Sequence, residues 1–108
     1  MPTAFSVTVS ERSDPFLIRV SGEFDMAGLS KFEASLDGLW EIRQRGVVLD
    51  LTDVSFIDSS GIRGVVGVQH RCADDGRSFE MRVNETVMYV LNLTGLAEIL
   101  GVASQETA

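Results

Sequence analysis

The sequence predicts a mixed α/β domain in which strands and helices alternate around an aliphatic core. Residues 5–10 and 16–21 alternate apolar and polar side chains, as half-buried strands do. Residues 47–51 form a short continuous apolar run, which is typical of a strand buried on both faces of a sheet. Apolar residues recur at three- and four-residue spacing over 29–40 and 62–72, as in amphipathic helices. The predicted order is β-β-α-β-α-β-α, which implies a mixed sheet with helices packed against it.

The first half of the chain is predicted to be a hairpin followed by a long helix. The turn sequence Ser13-Asp14-Pro15 separates the two alternating strands. Residues 22–25 interrupt the strand pattern, and the helix is expected to continue to Gln44. Its core-facing stripe consists of Leu29, Phe32, Leu36, Leu39 and Trp40.

The middle of the chain is predicted to hold the central strand, a loop and a second helix. Gly46 ends the first helix, residues 47–51 form the strand, and a loop leads to residue 58. The following stripe is helical in spacing, although its β-branched valines leave a strand open as the alternative. It is formed by Ile62, Val65, Val66, Gln69 and Cys72.

Three glycines in this second helix, Gly61, Gly64 and Gly67, each weaken it by about 1 kcal/mol relative to alanine. Such a cost usually marks the close approach of another segment, so tight packing is expected along all three positions. Cys72 is expected to be a small buried residue on the inner side of this helix.

The last part of the chain is predicted to contain a strand, a short helix and a polar tail. Asp75-Gly76 turns the chain into an alternating strand over 79–83, and Asn84 is a candidate N-cap for the next helix. Gly95 is expected to end that helix in a left-handed conformation. Residues 99–102 form either an edge strand or a helical turn. The expected single domain spans 1–108, with its core over about 5–102 and a tail over 103–108.

Composition excludes several classes of function. The chain of 108 residues carries a net charge of -7, Lys31 is its only lysine, and its arginines are scattered, so nucleic-acid binding is disfavoured. With one cysteine and one histidine, no Cys/His metal cluster can form, and we expect no metal or other cofactor. Neither a signal peptide nor a membrane span is recognisable, so we expect a cytoplasmic protein that binds another protein.

The segment Asp58-Ser59-Ser60-Gly61 carries the strongest functional signal. It follows a predicted strand and loop and stands where the second helix should begin. A hydroxyl at the first turn of a helix is exposed, and a phosphate added there would meet N–H donors and the positive end of the helix dipole. Ser59 is therefore a candidate phosphorylation site, and Ser60 is the second choice. Asp25 and Asp58 are most simply N-caps that also stand beside this site.

Three motifs together resemble the STAS domain, in particular the bacterial anti-sigma-factor antagonists. They are Gly22-Glu-Phe-Asp25, the segment from Leu49 to Gly61 that includes Asp-Ser-Ser-Gly, and Leu93-Thr-Gly-Leu96. The resemblance covers residues from about 5 to about 102. It implies a small mixed sheet with helices, and a serine directly after the aspartate that an anti-sigma kinase phosphorylates. That serine corresponds to Ser59.

The resemblance also implies how such a protein works. The unphosphorylated form would bind the anti-sigma factor and release the sigma factor, and phosphorylation would end that binding. The partners would be an anti-sigma-factor serine kinase, which holds the ATP, and a phosphatase; the free protein would be a monomer. The predicted partner surface consists of Asp25, Asp58, Ser59, Ser60, Gly61, Ile62 and Arg63. Arg63, where the family often has a small residue, is placed to pair with the phosphate or to alter partner choice.

Two other functions are alternatives to an anti-sigma-factor antagonist. A STAS module can serve as a regulatory subunit of another assembly, such as a transporter complex. An enzyme with a serine nucleophile is disfavoured because no Gly-x-Ser-x-Gly segment surrounds Ser59 or Ser60, and His70 lies about three helical turns away. A phosphate-binding loop with its Gly-Lys-Ser/Thr end is also missing from the sequence, so we expect no catalytic residues.

Overall fold

The computed structural model describes residues 4–42 and 45–102. Its four strands are β1 (Ser6–Ser10), β2 (Phe16–Phe24), β3 (Val47–Ile57) and β4 (Phe79–Val83), and its four helices are α1 (Met26–Ser35), α2 (Ser59–Asp75), α3 (Glu85–Thr94) and α4 (Leu96–Ile99). The predicted order of strands and helices is confirmed up to α3, and α4 follows it as an additional short helix. Of residues 99–102, predicted as an edge strand or a helical turn, Ile99 ends α4 and none lies in a strand. The expected tail over 103–108 lies outside the described residues.

The strands form one mixed sheet in the order β1-β2-β3-β4. β1 and β2 are antiparallel, as the predicted hairpin requires, whereas β2, β3 and β4 are mutually parallel. β3 pairs on both sides and is buried over residues 47–51, so its predicted central position is confirmed. α1 and α2 pack against each other, α1 contacts β1 and β2, and α2 contacts β3 and β4. The core fills the space between these helices and the sheet.

β3 is longer than predicted, and the loop expected after residue 51 does not exist. The strand continues to Ile57, and the pairing with β2 shifts register between Arg19 and Ser21 and again between Gly22 and Glu23. Each shift adds a residue to β3, so its inward residues become Leu51, Val54 and Ile57. The two-residue period that identifies a strand is therefore lost twice between residues 51 and 57. For this reason the sequence predicted a loop there.

β2 also extends further than predicted, to Phe24 instead of residue 21. Gly22, which interrupts the alternating pattern in the sequence, has a φ of 92°. A Cβ at this position would stand 2.6 Å from the carbonyl oxygen of Ala4. The glycine therefore lets the chain segment before β1 cross close to the strand without ending it.

The first helix is shorter than predicted. α1 ends at Ser35 with backbone bonds from Leu36 to Glu33 and from Asp37 to Ala34, which tighten the last turn. Gly38 then takes a φ of 82°, and a 3₁₀ turn over Leu39–Glu41 follows. The apolar spacing persisted across this break because Leu36 and Leu39 are both buried, whereas Leu29 and Trp40 are only half-buried. The predicted end at Gln44 lies outside the described residues.

α2 is a helix, which decides against the strand alternative. Its buried residues are Gly61, Gly64, Val65, Val68 and Cys72. The inner stripe therefore includes Val68 in place of Val66 and Gln69, because the tight contact at Gly61 and Gly64 sets which side of the helix faces the core. The predicted turn at Gly76 is confirmed by its φ of 72°, and the predicted helix end at Gly95 by its φ of 75°.

Candidate functional site

Two parallel strands end side by side, and each continues directly into a helix through an aspartate. The Cα atoms of Phe24 and Ile57, the last residues of β2 and β3, are register partners. Asp25 follows Phe24, and Asp58 follows Ile57. Because neighbouring strands lie roughly 5 Å apart, the starts of α1 and α2 lie beside each other at one edge of the sheet. We call this region the Ser59 edge, formed by Asp25, Met26, Phe56, Asp58 and Ser59.

Both aspartates are N-caps. The Asp25 side chain accepts a hydrogen bond from the Gly28 amide at 3.0 Å. The Asp58 Oδ1 atom accepts from the amides of Ser60, at 2.9 Å, and Gly61, at 3.3 Å. The predicted capping role is confirmed at both positions. Two of the amide donors expected to meet a phosphate on Ser59 are therefore already engaged by Asp58.

Ser59 is the first residue of α2, and its side chain is exposed. Ser60 and Ile62 are half-buried, and Gly61 is buried. A Cβ on Gly61 would lie 2.5 Å from the Phe24 carbonyl oxygen and 2.7 Å from Ile57 Cγ1. The helix start is thus seated on the ends of β2 and β3. This contact sets the position of Ser59 with no intervening loop.

Arg63 and His70 occupy different positions relative to Ser59. Arg63 is exposed and stands one helical turn further along α2, on the same side of the helix as Ser59. His70 is eleven residues from Ser59 in the same helix, which places it about 16 Å away along the axis. That separation leaves His70 unable to take a proton from the Ser59 hydroxyl.

The structure adds two apolar residues that sequence reasoning missed. Met26 is 73% exposed at the start of α1, and Phe56 is 48% exposed near the end of β3. The signal for Phe56 was its position beside Ile57, since a strand residue next to an inward one points outward. Exposed apolar side chains beside a polar site are typical of protein contact surfaces.

Other chemistry is limited in the part of the chain that the structure describes. Cys72 is fully buried, as predicted, and burial raises the pKa of its thiol to about 11. It is therefore protonated at neutral pH and a poor nucleophile. Within residues 4–42 and 45–102, no three or more His, Cys, Asp or Glu side chains are arranged to hold a metal ion. Among the described helices, none combines the length and apolar character that crossing a bilayer requires.

The family model of the STAS domain matches residues 6–107. Two proteins named anti-sigma-B factor antagonist, from Listeria monocytogenes and Listeria innocua, are each 30% identical to this chain over 112 residues. These alignments cover 94% of this chain and 90% of each relative.

Solved structures agree in fold. An anti-sigma factor antagonist from Mycobacterium paratuberculosis superposes with a TM-score of 0.82 at 20% identity, covering 98% of this chain and 91% of that one. The anti-sigma factor antagonist SpoIIAA in its unphosphorylated form gives a TM-score of 0.71 at 23% identity, covering 95% and 90%. The mixed sheet and its helices are therefore shared with both structures.

Proposed function

The chain belongs to the STAS domain family, and from that premise we propose that it is an anti-sigma-factor antagonist controlled by phosphorylation of Ser59. In its unphosphorylated form it binds an anti-sigma factor that is also a serine kinase, and the sigma factor is released. Phosphorylation ends this binding, and a phosphatase restores it. The proposal places a monomeric, non-enzymatic protein in the cytoplasm, where transcription takes place. The names of the two Listeria relatives support this function over the transporter-subunit alternative.

One observation carries the proposal: the Ser59 hydroxyl is exposed at the very start of α2, directly after the Asp58 cap. A kinase must reach the hydroxyl without unfolding its substrate, and this position allows that. Ser60 is less accessible, which favours Ser59 as the acceptor. The proposed contact surface joins Met26 and Phe56 to the predicted residues Asp25, Asp58, Ser59, Ser60, Ile62 and Arg63. Gly61, also predicted for this surface, is buried against Phe24 and Ile57 and holds the start of α2 in place.

Local electrostatics are sufficient to switch binding. A phosphate on Ser59 adds about 1.5 to 2 negative charges next to the Asp58 carboxylate and one strand away from Asp25. Because Asp58 already uses the Ser60 and Gly61 amides, the helix end offsets only part of this charge. A hundredfold loss of affinity requires about 2.7 kcal/mol. Burying a dianion beside a carboxylate in an interface costs at least that much.

The first test identifies the partner and the acceptor. We expect Ser59→Ala to capture an anti-sigma kinase from extract of the source cells. That kinase with ATP should add one phosphoryl group to the wild-type protein and to Ser60→Ala, but none to Ser59→Ala, as measured by intact mass. Modification of Ser59→Ala and not of Ser60→Ala would move the acceptor to Ser60. A captured kinase that modifies neither serine would contradict the switch.

The second test measures affinity. Titration of the captured kinase by calorimetry should give similar affinities for the wild type and Ser59→Ala, and an affinity at least tenfold weaker for Ser59→Asp. Ser60→Asp is the matched control, and a smaller effect is expected there. Equal affinities for Ser59→Ala and Ser59→Asp would reject the electrostatic mechanism.

A further inference from the structure

Arg63, Gly67 and Arg71 follow one another at four-residue intervals along α2. Residues four apart lie one above the other on a helix surface, so Gly67 is a gap between two arginine side chains. A Cβ at Gly67 meets none of the described atoms outside its own helix within 4 Å. The expectation of tight packing is thus confirmed at Gly61 and Gly64, where neighbours lie within 3.3 Å, and is wrong at Gly67. Nothing in the packing requires the glycine there, although it weakens the helix by about 1 kcal/mol.

The gap opens into a groove of about 290 Å³ between α2 and the segment that runs from α1 to the 3₁₀ turn. The groove has an apolar floor formed by Phe32, Leu36 and Val68, and Trp40 also lines it. This volume is close to the lower end of the range of about 300–1,000 Å³ found for small-molecule sites. A leucine-sized side chain at position 67 would occupy the open space directly.

The two walls of the groove carry opposite charges. Arg63 and Arg71 line the α2 wall, and Glu33 lines the α1 wall. The Arg71 guanidinium is held 5.4 Å from the Trp40 ring centroid, and its Nε donates to Asp75 Oδ2 at 3.0 Å. Arg63 forms no hydrogen bond or ion pair with any residue in 4–42 or 45–102. The α2 wall therefore offers one cation that has no partner among the described residues and a second that is held in a fixed orientation, in a chain whose net charge is -7.

We propose that this groove binds a small aromatic anion. The ring lies over Gly67 against the apolar floor, beside the exposed guanidinium plane of Arg71. The Trp40 ring itself already carries the guanidinium groups of Arg71 and Arg77, at 5.4 and 5.5 Å from its centroid. The acidic group, a carboxylate, sulfonate or phosphate, pairs with Arg63, and Glu33 repels it from the opposite wall. Arginine suits this task because its planar fork donates to two oxygens at once. The proposal does not rest on sigma-factor control, although Arg63 also belongs to the proposed partner surface, so a bound anion and a partner protein would compete for it.

Trp40 is the only tryptophan in the chain and lines the groove, so its fluorescence reports occupancy directly. The probe is 1-anilinonaphthalene-8-sulfonate, an aromatic sulfonate, titrated into the full chain. We expect saturable binding at one site, with quenching of Trp40 and energy transfer to the probe. The uncharged analogue N-phenyl-1-naphthylamine should bind at least tenfold more weakly, because it lacks the anion.

Two variants test the location of the site. Arg63→Gln should weaken probe binding at least tenfold, and Gly67→Leu should abolish it by filling the groove. Arg12→Gln and Ala73→Leu are matched controls at exposed positions outside the groove lining, and both should bind as the wild type does. Circular dichroism melting curves establish that each variant is folded. Unchanged binding to folded Gly67→Leu, or equal affinity for the two probes, would overturn the proposal.

Discussion

Asp50 shows how one carboxylate is kept charged within a sheet. It is only 5% exposed, and its Oδ1 accepts hydrogen bonds from the Thr52 amide at 2.9 Å and the Thr52 hydroxyl at 2.7 Å. Arg19 approaches its Oδ2 at 3.6 Å. Burial alone would raise the pKa of Asp50, but the Thr52 hydrogen bonds and the charges of Arg19 and Arg82 outweigh it and lower the pKa. The ionised carboxylate therefore stabilises the folded state.

The stabilisation from Asp50 should depend on pH. Its pKa is lower in the folded protein than in the unfolded chain, so its contribution is complete above the unfolded value of about 3.9 and is lost as the pH falls below that. We expect Asp50→Asn to lower the free energy of unfolding by about 1 kcal/mol at pH 7, with a smaller difference near pH 3. Urea denaturation at the two pH values measures this difference.

Asp53→Asn is the control for Asp50, because Asp53 is an exposed residue on the same strand. It should change stability by less than about 0.5 kcal/mol at either pH. An Asp50→Asn effect that is equally large at pH 3 and pH 7 would mean that the residue acts by shape and not by charge.

At the scale of single residues, the sequence predicted contacts within one helix start but not contacts between residues far apart in the chain. The caps at Asp25, Asp58 and Asn84 follow from side chains that reach their own helix, and the structure confirms all three. Asp50 accepts its hydrogen bonds from Thr52 on its own strand, but the cations that help to lower its pKa, Arg19 and Arg82, lie on two other strands, and no sequence motif predicted that they would meet. Exposure of Met26 likewise depends on how the neighbouring strands end.

Among the helices, α2 contains two kinds of glycine. Packing against a neighbouring segment requires glycine at some positions and not at others. Gly61 lies against the Phe24 carbonyl at the start of the helix, and Gly67 faces the open groove. The two positions share the same backbone conformation class, because both lie within one continuous helix. Their substitution by alanine should therefore separate steric contact from helix propensity.

We expect opposite signs for the two alanine variants. Gly61→Ala should lower the free energy of unfolding by about 1–3 kcal/mol, because its Cβ has no room against backbone atoms. Gly67→Ala should raise it by up to about 1 kcal/mol, because alanine favours the helix and meets nothing. Chemical denaturation of both variants provides the measurement. Destabilisation of equal size at both positions would contradict the account of α2 packing.

The prediction of helices and strands succeeded where periodicity is local and failed where another segment changes it. The pattern in β4 and α3 is uninterrupted, and both were placed correctly. In β3, two bulges set by pairing with β2 replace the period of two with a period of three over Leu51, Val54 and Ile57. The predicted length of α1 was wrong for the opposite reason. The helical spacing of apolar residues continued through the turn at Gly38, where the helix had already ended.

Across the whole molecule, Arg77 ties the segment after α1 to the turn before β4. Its side chain is 1% exposed and pairs with Asp75 Oδ2 at 3.2 Å. Its guanidinium also donates to the carbonyl oxygens of Trp40, Ile42 and Arg45, at 3.0, 3.1 and 3.3 Å. One side chain thus satisfies backbone carbonyl groups in the 3₁₀ turn, directly after it and shortly before β3. No sequence motif marked it.

Removing this cation should be costly. Arg77→Met leaves the three carbonyl oxygens and Asp75 without its guanidinium, and we expect a loss of about 3–5 kcal/mol in the free energy of unfolding. Arg77→Lys should be intermediate, because one ammonium cannot reproduce the planar fork. The control is Arg82→Met, an exposed pair with Glu80, for which less than about 1 kcal/mol is expected. Similar losses for Arg77→Met and Arg82→Met in thermal or urea unfolding would refute the role of Arg77.

A single residue, Asp58, separates the last position of β3 from the first position of α2. A connection of one residue contains no hinge, so a charge added at Ser59 could not rotate α2 relative to β3. A phosphate on Ser59 would then change only the surface of the protein. Its effect would be felt by a binding partner at that surface and not by the rest of this fold. The lifetime of the phosphorylated state would be set by the rates of the kinase and the phosphatase, and not by a conformational change of this chain.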